Sequence, residues 1–129
     1  MPLATVAAEN ATLQACYGNA HASTWPATFL VRLWSGDPRD DGVEVSDAGY
    51  SPQSLANTDA NFTTASGRTT SVVVDFGDAA ADISDVDWWS VEDSTSGVMF
   101  ECCEFRRPKD FPTGSGIGAR LEIAHDPEV

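Results

Sequence analysis

Short runs in which apolar and polar side chains alternate, each closed by glycine, proline, serine or aspartate, constrain this chain more than any other feature. A period of two places one set of side chains on one face of a β-strand and the other set on the opposite face. Phe29, Val31 and Leu33 alternate with Arg32 in the stretch 28–34, which Ser35-Gly36-Asp37-Pro38 ends. Thr69 to Phe76 is rich in β-branched residues and follows a turn at Ser66-Gly67-Arg68. Val86 to Val91 and Val98 to Phe105 flank Asp93-Ser94-Thr95-Ser96-Gly97, which predicts an antiparallel hairpin. Near the end Ile117, Ala119, Leu121 and Ile123 share one face, with Arg120 and Glu122 on the other. Shorter extended pieces are expected at 43–45 and in an edge-like segment from Tyr50 to Leu55. Strands of this length, closely spaced and separated by turn residues, predict an all-β fold: a two-sheet antiparallel β-sandwich.

The amino-terminal segment differs. Helix formers from about Ala4 to Tyr17, with Gly18-Asn19 as a stop, predict one short amphipathic α-helix. The chain then divides into an N-terminal helical arm and connector over 1–24 and a β-sandwich domain over 25–129. At 129 residues there is room for one core. Alternation assigns that core to Phe29, Val31, Leu33, Val72, Val74, Phe76, Trp88, Phe100, Leu121 and Ile123, with Trp89 as the symmetrical alternative to Trp88. No apolar run is long enough for a membrane span, and no secretory signal is expected at the amino terminus.

Charge restricts the partners. Twenty acidic side chains face seven basic ones, a net charge of −13, which repels nucleic-acid phosphate. The excess of aspartate, with Lys109 as the one lysine, resembles the proteins of extreme halophiles. Self-repulsion of this size is screened as the Debye length shrinks to about 3 Å near 1 M salt, so high salt is expected to favour the folded state.

Candidate chemistry is sparse. His21 and His125 stand at opposite ends of the chain, outside any serine-triad or zinc spacing, and Cys16, Cys102 and Cys103 form no disulfide framework. The acidic clusters 37–44 and 82–87 offer hard oxygen ligands but match no calcium-loop pattern, and Arg39 competes for the first. Trp88-Trp89 would stack a sugar only if exposed, and the abundant carboxylates are better read as a solvated face than as a glycosidase pair. Asn10-Ala11-Thr12 and Asn61-Phe62-Thr63 are glycosylation sequons of no diagnostic weight. The expectation is a non-enzymatic protein with no catalytic residues, no metal site and no cofactor.

From the helix onward the segments follow in the order Phe29-Leu30-Val31-Arg32-Leu33-Trp34-Ser35-Gly36-Asp37-Pro38, then Glu44-Val45-Ser46 with Gly49-Tyr50, then Val72 to Phe76, Val86 to Asp93 and the Pro108-to-Ser-Gly segment before the last strand. That order resembles a family of small tailed-phage structural proteins, called tail fibre or minor tail proteins, some of them capsid decoration or head-fibre subunits. Asp87-Trp88-Trp89 and Cys102-Cys103 depart from that pattern. The resemblance implies a virion structural protein of a tailed double-stranded DNA virus, in the first place a capsid decoration or turret subunit on the head. A tail fibre or receptor-binding module is the alternative, and a cellular carbohydrate-binding domain the next. The implied partners are other copies of the chain in a homo-oligomer, the major capsid protein or other virion proteins, and the host cell surface. Neither nucleic-acid binding nor membrane insertion is expected. The implied location is the virion surface, after assembly in the host cytoplasm.

Overall fold

The computed structural model describes residues 26–124. The expected helix from Ala4 to Tyr17, and with it the arm over 1–24, lies outside the described residues. Within them the fold is all-β. The strands in order are β1 (Thr28–Ser35), β2 (Val43–Glu44), β3 (Gln53–Ala56), β4 (Phe62–Ala65), β5 (Arg68–Asp78), β6 (Ile83–Asp93), β7 (Met99–Phe111) and β8 (Gly116–Ala124).

Every strand pairing is antiparallel. One sheet runs β2-β1-β6-β7, with β3 also paired to β1, and the second runs β4-β5-β8. The expected 86–105 hairpin is β6 and β7. Strand β4 was not expected from the sequence. It pairs with β5 across Ser66-Gly67, both at positive φ (55° and 73°), the two-residue hairpin geometry that follows the strands' own twist.

One core joins the two sheets. Alternating residues of β1 and β6 meet alternating residues of β5 and β8, because one face of each sheet is apolar and must be covered. Phe29 of β1 meets Phe62 of β4 edge to face at 6.0 Å. Tyr50 stacks on Phe76 of β5 at 5.7 Å, and Phe111 and Ile117 close the core near the β7–β8 turn.

Seven of the ten expected core residues are buried: Phe29, Val31, Leu33, Val74, Phe76, Leu121 and Ile123. Val72, Trp88 and Phe100 are not, and each of these three lies at a register shift. Between Thr70 and Val73 strand β5 spends one more residue than β8, so the buried set changes from Thr69 and Ser71 to Val74 and Phe76 while Val72 stays 41% exposed. Ser71 fills the bulge: its hydroxyl accepts the Leu121 N–H at 2.8 Å and donates to the Val72 carbonyl. Phe100 is the extra residue where Val91 pairs with Glu101 but Glu92 pairs with Met99. Trp88 follows a shift that puts both Val86 and Trp89 inward. A bulge reverses the inward parity of everything beyond it, so a pattern read at a strict period of two fails there.

Candidate functional site

Aspartates are consumed by loops. Asp47 accepts the N–H groups of Gly49 and Ala80 on one oxygen, both at 2.8 Å, and that of Ala81 on the other at 3.0 Å, tying the segment before β3 to the β5–β6 turn. Asp82 accepts the Thr113 N–H and hydroxyl at 2.8 Å each, tying the same turn to the β7–β8 connection. Asp87 accepts the Gly36 N–H, and Asp110 the Asp85 N–H. Short carboxylates suit such work because they satisfy backbone donors that no ladder reaches. Asp82 and Asp87 of the second acidic cluster thus brace chain reversals, and Asp37 of the first accepts the Arg39 N–H at 2.9 Å within its own turn. Asp37 holds Arg39 in an ion pair at 2.9 Å, and among the described residues no group of three or more His, Cys, Asp or Glu side chains is arranged to hold a metal ion.

These contacts have a pH signature. The Ala80 N–H above all, with those of Gly49 and Ala81, holds the Asp47 carboxyl below its ordinary value. The Thr113 N–H and then its hydroxyl do so for Asp82, and the Arg39 guanidinium does so for Asp37. A carboxyl depressed in the folded state contributes stability that is fully present above its unfolded pKa, near 4, and is lost as pH falls through the folded value. Asp47→Ala is therefore expected to lower the thermal midpoint most at neutral pH. The gap to the wild type should narrow below about pH 4. Melts from pH 7 to pH 2 check this, and a gap constant across that range would contradict it.

On the outer face of the larger sheet Arg32 bridges two carboxylates. Its Nη1 donates to both oxygens of Glu44 at 3.0 and 3.1 Å, and its Nε donates to Glu92 at 3.1 Å. The Tyr50 hydroxyl donates to Glu44 at 2.9 Å and accepts the Leu33 N–H at 3.0 Å. Burial, ahead of the neighbouring carboxylate, pushes the Tyr50 phenol well above its ordinary range, so it remains protonated. Glu44 and Tyr50, two of the residues that carried the family resemblance, act here as a clasp that binds the β2–β3 segment to β1.

Trp88 lies on that same outer face, half-buried, with the Arg39 guanidinium 5.7 Å from its ring centroid, so one ring face already has a cationic neighbour. Cys102 and Cys103 are free, half-buried thiols whose pKa burial raises. The Asn61 side-chain amide donates to the Ala56 carbonyl at 2.8 Å. Asn10, Cys16, His21 and His125 lie outside the described residues.

The feature that the sequence reading missed is a cleft of about 590 Å³ lined by β7, β8 and Arg68 at the start of β5. Among the described strands β7 ends the order of the larger sheet and β8 that of the smaller, so the cleft opens where these two edges approach. Arg68, Arg106, Arg107, Lys109 and Arg120 line it, five of the seven basic residues of the chain. Arg106, Arg107 and Lys109 are neighbours in sequence, and what the sequence hid is their convergence with Arg68 and Arg120. Glu122 pairs with Arg68 at 2.9 Å and also with Arg106. Lys109 lies over the Phe105 ring at 4.9 Å, while Arg107 and Arg120 have no ion pair among the described residues.

The family model described as Podophage GP4 fiber I protein gp80 matches residues 3–120. No curated protein and no solved structure matches the chain.

Proposed function

This chain belongs to the family of the podophage GP4 fiber I protein gp80, and we propose that it serves, without catalysis, as a capsid decoration or turret subunit on the head of a tailed virus. Family membership makes it a virion-associated structural protein of the phage fibre type, and that observation supports the structural part of the reading. The use of its polar groups supports a structural role. Asp47, Asp82 and Asp87 hold loops, Asp110 ties β7 to β6, and Arg32, Glu44 and Tyr50 clasp a segment to the sheet. The copies form a symmetric homo-oligomer, in which repetition turns weak contacts with the major capsid protein into firm attachment. A tail fibre module is the second reading, favoured by the word fiber in the family description.

Electron cryo-microscopy of particles labelled with an antibody against the chain tests the placement. Label on the head surface is expected. Label confined to the tail selects the second reading, and absence of the chain from purified particles overturns both.

The acidic surplus suits a halophilic host. The unfolding midpoint is expected to rise by several degrees as sodium chloride goes from 0.1 M to 1 M, where the Debye length falls from about 10 Å to about 3 Å. Self-association should strengthen in parallel. A flat response over that interval would remove the halophilic host and leave the virion assignment in place.

A further inference from the structure

The local ladder shows how the basic cleft is built. Trp88 pairs with Glu104 and Val86 with Lys109, so Phe105, Arg106, Arg107 and Pro108 stand opposite the single residue Asp87. On a regular strand Arg106 and Arg107 would point to opposite faces, yet both line the cleft, because the bulge re-aims them. Lysine, arginine and proline also protect exposed sheet edges from mispairing, but that task requires only charge, which this chain supplies elsewhere as aspartate. It does not require convergence. Among the described residues Arg107 and Arg120 have no carboxylate partner, in a chain with twenty acidic residues, so both guanidinium groups are available to an anion from outside.

We infer that this cleft binds an acidic saccharide unit, a pyranose bearing a carboxylate, with Arg107 and Arg120 as the anion ligands and the half-buried Phe105 ring as an apolar wall. A guanidinium fork matches a carboxylate in two parallel hydrogen bonds. A site of several hundred cubic ångströms suits a small ligand. Charge chooses among anions. A nucleic acid, or a second copy of the chain with its own −13, brings many negative charges toward an acidic body, whereas a uronate unit brings one. The inference rests on the proposed exposure at the virion surface, where such a saccharide would belong to the cell envelope.

Titration calorimetry of the full chain with glucuronate and galacturonate, against glucose, galactose and inorganic phosphate, tests the site. The uronates are expected to bind with a Kd on the order of 1 mM and the neutral sugars not at all. The double variant R107Q/R120Q should bind uronate at least tenfold more weakly. Both side chains are exposed, so its thermal midpoint should be unchanged. The contrast between acidic and neutral sugars requires no variant and stands if that protein misfolds. No uronate binding at 20 mM ligand (about 20 times the expected Kd), equal binding of phosphate and uronate, or unchanged binding by a folded double variant would each overturn the inference. So would loss of the oligomer in that variant without uronate binding in the parent, which would make the cleft a contact between copies. Failure to bind by a chain found on the particle sinks this inference alone, whereas binding by a chain absent from particles sinks the virion reading.

Discussion

Replacing Gly49 with alanine is expected to destabilise the protein by about 3–5 kcal/mol, a large fraction of an ordinary domain's stability. A Cβ at Gly49 would stand 1.6 Å from the Asp78 carbonyl oxygen, and one at Gly77 would stand 2.0 Å from the Gly49 carbonyl oxygen. Two stretches of backbone touch there without side chains between them. Gly77 has in addition a φ of +114°, which side chains rarely adopt. The two stretches cannot easily part, since Asp47 fastens the first to Ala80 and Ala81 through hydrogen bonds that a shift would break. Gly118→Ala is the control: its Cβ would meet Val73 Cγ1 at 3.4 Å, an ordinary contact, and the change should stay within about 1 kcal/mol of neutral. Urea unfolding of the two variants checks the contrast. Equal midpoints would show that the Gly49–Gly77 crossing yields readily.

The adjacent tryptophans should separate just as clearly. Trp89 is 1% exposed, opposite Leu33 on one side and Cys103 on the other, and Trp89→Ala is expected to cost about 3–5 kcal/mol through lost burial and the cavity left behind. Trp88→Ala removes a half-buried ring on the outer face and its contact with Arg39, and should cost about 1–2 kcal/mol. Thermal and urea melts of both variants measure the difference, and the reverse order would mean that β6 carries the opposite register. Trp89 also lines the basic cleft, so Trp89→Phe is the gentler substitution for binding experiments.

Local sequence determined much of the architecture. Alternation in 28–34 and 117–124 made β1 and β8 legible, with Phe29, Val31, Leu33, Leu121 and Ile123 correctly turned inward, because these strands carry no bulge at those residues. Turn residues placed the β6–β7 hairpin, and the order of segments pointed to the phage family that the family model then matched over 3–120. The short β4 went unread because Phe62-Thr63-Thr64-Ala65 offers one large apolar residue and becomes a strand by pairing with β5.

Tertiary structure decided the rest. Val72, Trp88 and Phe100 each sit at a register shift, and a shift depends on how a partner strand accommodates an extra residue, which one strand's own pattern does not record. The aspartates offered no sign in sequence of which backbone N–H groups they would accept. The same holds for the basic cleft. Arg106, Arg107 and Lys109 stand close together in sequence, but Arg68 and Arg120 join them in one positive site only because the edges β7 and β8 of two different sheets come together. Charge convergence of that kind is a property of distances in space, and the sequence alone determined only how many charges there were to converge.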